Sequence, residues 1–167
     1  MKKKYILVAI MMALALLLVS VSGANAHFLG YSSVDSNTIR WYADTEHTGT
    51  WDYAVDTWND LGTINVEEDT RWWTVKQLSI SDVDDENIEW VALHTWYPIV
   101  TDTIQFNCYF VDNYTGDTRS LFVPTHELGH ALGLGHSFEG QILYAYVDYV
   151  YTLQYHDIAD YYTLWGY

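Results

Sequence analysis

His126-Glu127-Leu128-Gly129-His130-Ala131-Leu132-Gly133-Leu134-Gly135-His136 combines a helical spacing with a break that follows it. His126 and His130 stand four apart, which on an α-helix means an offset of about 40° and a rise of about 6 Å. Both imidazoles then leave one face, close enough to hold one zinc ion. Glu127 points beside that ion, where its carboxylate meets a zinc-bound water as general base. His136 is out of reach if the helix continues. Gly133 supplies the break, because glycine adopts backbone angles that other residues avoid, and the chain swings His136 back. Three protein ligands leave a fourth position open, as a catalytic zinc requires and a closed structural zinc does not. The expected metal ligands are therefore His126, His130 and His136, and the expected catalytic base is Glu127.

Around this stretch the pattern is that of an α+β domain. Thr50 to Leu61 places Trp51, Ala54, Val55, Trp58 and Leu61 at helical spacing, with Gly62 to close it. Strands are expected at Asn37–Tyr42, Ile64–Val66, Trp73–Ile80, Trp90–Leu93 and Thr103–Val111, with an acidic loop from Ser81 to Glu89. Pro124 and Thr125 are expected to precede a helix from His126 to about Leu132, and a last helix spans Leu153 to Leu164. This order describes one twisted mixed sheet with an active-site helix and a C-terminal helix.

The first 26 residues read as a signal peptide and not as part of the fold. Lys2, Lys3 and Lys4 precede the apolar run Ile6–Val19, and Ala24-Asn25-Ala26 has the small-residue pattern of a cleavage site. The expected organisation is a leader over 1–26 and one domain over 27–167, secreted, with no stable membrane association after cleavage. The formal net charge is −15, and the leader's three lysines make the domain itself more acidic still. Such a surface repels phosphate backbones and anionic headgroups, so nucleic acid is excluded as a partner. Cys108 is the single cysteine and rules out an internal disulfide. It continues the alternation of Ile104, Phe106 and Cys108 and reads as a buried strand residue.

With Ser137 after the third histidine, the stretch HELGHALGLGHS resembles the metzincin metallopeptidases, and within them the matrixins. Thr152 to Gly166 is similar to the C-terminal matrixin helix, and Trp51 to Asn59 to the first helix of that family. The resemblance implies a secreted zinc endopeptidase acting on protein or peptide substrates. It also implies that Tyr144 to Tyr151 walls the pocket for the residue after the scissile bond, and that Asp157 has a structural duty. Two departures stand out. Leu143 occupies the place of the methionine that the family carries in a tight turn beneath the zinc, a swap of similar volume. The chain also shows no propeptide of the family's cysteine-switch type, and Cys108 lies too deep in the domain pattern to act as one.

Other candidates read more simply. Asp82, Asp84, Asp85 and Glu86 have the hard oxygen ligands that calcium takes, yet a run of acids is the ordinary composition of a solvated loop. His47, His94 and His156 read as surface or core residues and not as ligands of a second zinc. His27 would become an N-terminal histidine after cleavage, a potential copper chelate resting on one position. The alternative to an enzyme is a catalytically inactive zinc-binding module on the same scaffold, and the presence of Glu127 counts against it. Oligomeric state is not encoded in any of these patterns.

Overall fold

Ser36 and Asn37, with φ of 53° and 61°, turn the chain so that Thr38 bridges back to Asp35 and the first strand begins. The computed structural model describes residues 27–71 and 74–166. The leader expected over 1–26 lies outside them, as do Trp72 and Trp73. Strand β1 is Thr38–Asp44, followed by helix α1, Thr48–Asn59, and strand β2, Asn65–Glu68. Strands β3 (Leu78–Val83), β4 (Ala92–Thr95) and β5 (Asp102–Asn107) complete a five-stranded sheet. Helices α2 (Cys108–Val111), α3 (Arg119–Ala131) and α4 (Tyr155–Trp165) follow.

The sheet order is β2-β1-β3-β5-β4, with all neighbours parallel except β4, which runs antiparallel to β5 on the edge. The mixed sheet and the α+β class are as the sequence implies. Inward positions alternate as a half-buried sheet demands: Ile39 and Trp41 on β1, Leu78 and Ile80 on β3, Ile104 and Phe106 on β5. Against this face lies α1, whose buried residues Trp51, Ala54, Val55 and Trp58 recur at three- and four-residue intervals. Trp58 Nε1–H donates to the Thr125 carbonyl at 2.8 Å, which ties α1 to α3. Asn59 completes the unit by pairing through its amide with both backbone groups of Val66, at 2.8 and 2.9 Å.

Three boundaries differ from the sequence expectation. The strand expected from Trp73 starts only at Leu78, because Val75 faces solvent, and it runs on to Val83, so the acidic loop begins at Asp84. The strand expected through Val111 ends at Asn107, and Cys108 opens the short helix α2 at intermediate exposure. Its alternation with Phe106 is coincidental, since a helix turn also brings a residue back toward the core, here Val111. Finally, α3 begins at Arg119 with Pro124 inside it. Proline removes one backbone donor there, and burial of Phe122 and Val123 against the core holds the turn nonetheless.

Candidate metal centre

The second half of α3 carries the histidines, and its end is set by Gly133 at φ +92°. Gly133 N–H donates to the His130 carbonyl at 2.9 Å and Leu134 N–H to the Gly129 carbonyl at 3.0 Å. This pair of bonds is a Schellman termination, which needs a left-handed residue at this position. A Cβ at Gly133 would also meet the Tyr31 carbonyl at 3.0 Å. The chain therefore reverses, and His136 comes back to the face that presents His126 and His130. The three side chains converge, each offering a ligand atom within 4.8 Å of the others. Ring centroids are separated by 4.5, 4.8 and 5.3 Å.

Each helical imidazole is oriented from behind. His126 Nδ1 lies 2.7 Å from the Ile142 carbonyl, and His130 Nδ1 lies 2.8 Å from the Leu134 carbonyl. A carbonyl only accepts, so both Nδ1 atoms carry the proton and both Nε2 atoms present lone pairs. Those two Nε2 atoms face each other at 3.0 Å. Two lone pairs at that distance repel unless a cation lies between them. Tetrahedral zinc with Zn–N bonds of ~2.0–2.1 Å sets its ligand atoms about 3.3 Å apart, so the donor set fits that ion. Burial holds His126 well below its ordinary value, to about 3, and His130 to about 4, while His136 is lowered by the same cause. All three are thus neutral at pH 7, as ligation requires.

Glu127 is buried, and desolvation pushes its carboxyl up to about 7 against the opposing hydrogen bond from the His94 backbone. That bond, His94 N–H to Glu127 Oε2 at 2.8 Å, runs from the edge strand β4 to α3. The sequence reads His94 as a surface or core residue with no part in this site. The contact is made by the backbone, so the residue type carries no signal for it. The His94 ring approaches Ser33 Oγ at 3.3 Å, and Ser33 Oγ–H donates to the buried Asp102 at 2.6 Å.

Beneath the histidines runs the turn Gln141–Ala145. Leu143 is buried there, and its methyl groups lie 3.0 and 3.1 Å from where a Cβ on Gly129 would be. Asp157 of α4 fixes this turn. Its Oδ2 accepts from Ile142 N–H at 2.9 Å and its Oδ1 from Leu143 N–H at 3.1 Å. Gln154 N–H also donates to Asp157, which caps α4. The carboxylate thus acts on His126 through Ile142, whose amide it grips and whose carbonyl receives the ring proton.

A cleft of about 350 Å³ opens over the site. Leu93, His94, Phe122, Val123, Tyr144 and Val147 are among its walls, together with the three histidines and Glu127. The acidic residues weighed for calcium do not assemble. Asp82 belongs to β3 and is engaged by Thr45 Oγ1–H and Glu46 N–H, and Asp85 by the amides of Asn87. Among the described residues two further groups could hold a metal, His27 with His156 and Asp160, and His47 with Asp82 and Cys108.

Comparison with known proteins gives one family match. The model of the matrixin peptidases fits residues 47–166, which takes in every element from α1 to α4. Direct comparison with curated proteins gives no match. Among solved structures, the chain is similar to one described as the GM1 bound form of the ECX AB5 holotoxin, at 14% identity and a TM-score of 0.46. The overlap covers 74% of this chain and 61% of that one, so the chain spans less than two thirds of the structure it matches.

Proposed function

The chain belongs to the matrixin family of zinc metallopeptidases, and from that premise we propose that it is a secreted endopeptidase with Glu127 as general base. His126, His130 and His136 hold the zinc ion. The observation that carries this reading is the pair of facing Nε2 lone pairs, 3.0 Å apart, with a buried carboxylate on the next residue of the same helix.

When bound, zinc supplies Lewis acidity, lowering the pKa of water and polarising a carbonyl. The chain's own residues do the rest. The buried Glu127 is held by His94 N–H through Oε2, which fixes the carboxylate beside the histidines. It takes a proton from the attacking water and delivers it to the departing amine, so no acyl-enzyme and no side-chain nucleophile is needed. Burial raises this carboxyl in the metal-free chain, and a cation held by the histidines would favour its ionised form, the form a general base needs.

Among the described residues strand β4 pairs with β5 on one side, and its other edge lies along the cleft, where His94 N–H is already taken by Glu127. An extended peptide adds there through main-chain hydrogen bonds. The pocket between Phe122, Tyr144, Tyr146 and Val147 takes an apolar side chain after the scissile bond. The leader over 1–26 directs export and leaves residues 27–167 as the mature domain. Among the described residues no helix is long and apolar enough to cross a membrane.

The test is digestion of casein by the purified protein, with and without 1,10-phenanthroline. Fragments that cease with the chelator and return with added zinc support the reading. A zinc-loaded protein that leaves casein and a peptide library intact favours an inactive zinc-binding module.

A further inference from the structure

His27 lies at the start of the described chain, yet its ring packs onto α4 beside two buried residues, His156 and Asp160. His156 and Asp160 are four apart on one helix face, the same spacing by which α3 presents His126 and His130. His27 Nδ1 is 3.1 Å from His156 Nε2 and 3.5 Å from Asp160 Oδ2, and His156 Nε2 is 3.2 Å from the same oxygen. These edges match the ligand separation of about 3.3 Å that a tetrahedral zinc imposes, and they resemble the 3.0 Å edge in the first site.

Hydrogen bonding alone does not satisfy such a triangle. Asp160 Oδ2 also receives His27 N–H at 3.2 Å, so three nitrogens crowd one oxygen. One proton on the pair makes the nitrogen–nitrogen edge a hydrogen bond but leaves the bare nitrogen's lone pair against Asp160 Oδ2, and two protons set one N–H against the other. A cation at the centre serves all three edges at once. The Phe138 ring packs against both imidazoles, at 5.3 and 5.0 Å between centroids, and gives the group an apolar flank. Two imidazoles and a carboxylate suit zinc or a neighbouring divalent transition metal, and not calcium or magnesium.

We propose that His27, His156 and Asp160 form a second zinc site, distinct from the histidines of α3. Its position gives it a mechanical consequence. The His27 carbonyl accepts from Gly135 N–H at 2.6 Å, and Leu29 N–H donates to the Gly133 carbonyl at 2.9 Å. The segment that the ion anchors to α4 therefore lies along the turn that returns His136. The second ion clamps that segment and stiffens the approach of the first site's third ligand.

Zinc per chain, measured on protein expressed from the full-length sequence and dialysed against buffered micromolar zinc, tests this. Wild type is expected to hold two ions. His156→Ala and Asp160→Asn each reduce this to one, and the variant lacking His126 and His130 also keeps one, which separates this site from the proposed catalytic one. His27→Ala, altered at a partly exposed position near the chain start, covers the case in which the α4 variants do not fold, and it too should hold one. A wild type saturating at one ion, or a His27→Ala protein retaining two, overturns the second site without touching the first.

Discussion

Leu143 packs directly beneath Gly129, filling the space that any larger residue on the zinc-site helix would claim. A Cβ at position 129 would sit 3.0 Å from a Leu143 methyl and 3.0 Å from the Trp58 ring. Trp58 is anchored by its bond to Thr125, so Leu143 would have to yield and carry the turn below the histidines with it. Gly129→Ala gains about 1 kcal/mol of helix preference against an over-packing cost of about 1–3 kcal/mol. A net loss of up to about 2 kcal/mol is expected in urea unfolding. Leu143→Met, a volume-conserving change, should cost below about 1.5 kcal/mol. Equal stability of Gly129→Ala and wild type would show that the turn adjusts freely.

Asp157 grips that turn from the other side. Asp157→Ala leaves the Ile142, Leu143 and Gln154 amides without their acceptor, at about 1–3 kcal/mol for each donor that stays buried. The Ile142 carbonyl then loses its fixed position behind His126. Loss of such an orienting partner weakens metal affinity about 10–100-fold. Competition with a zinc chelator on the folded variant measures it, and wild-type affinity would mean that His126 orients itself.

The region around Asp157 also shows what was readable in the residues themselves. The His126–His136 spacing, the Gly133 reversal and the periodicity of Trp51, Ala54, Val55 and Trp58 are local patterns, and each appears in the fold where the spacing puts it. The structural duty that the matrixin resemblance implies for Asp157 is met by its bonds to the Ile142 and Leu143 amides. What escaped was tertiary. Cys108 continues a strand-like alternation but starts a helix, because period two and the first turn of a helix coincide over three residues. Pro124 reads as a helix boundary but sits inside α3, where buried neighbours outweigh one missing hydrogen bond. His94 supports Glu127 through a backbone amide, to which residue type is blind, and His156, read as a surface or core histidine, has Asp160 one helical turn away but meets His27 only through the docking of the N-terminal segment.

Removal of the metal exposes a pH dependence whose sign follows from burial. In the metal-free fold His126 lies near 3, and His130 and His94 near 4, against an ordinary 6.5. Their unfolded forms take up protons that the folded forms refuse, so stability is lost as pH falls from about 6.5 through 4. Glu127 acts in the opposite sense. Its carboxyl rises from 4.5 to about 7, so the folded state holds a proton that the unfolded state releases, and its contribution grows as pH falls from 7 to 4.5. Three imidazoles outweigh one carboxyl, and stability should fall on acidification. Glu127→Gln removes the opposing effect, so its urea midpoints at pH 7, 6 and 5 should fall more steeply than those of wild type. Parallel curves would contradict a buried, protonated Glu127.

The central claim is that Glu127 performs chemistry while the histidines only hold metal. Zinc content and casein hydrolysis of Glu127→Ala, measured beside wild type, separate the two roles. Zinc content should be unchanged while hydrolysis drops by about 10²–10⁴-fold, the range for loss of a general base. A zinc-loaded Glu127→Ala protein that digests casein at the wild-type rate would contradict the account.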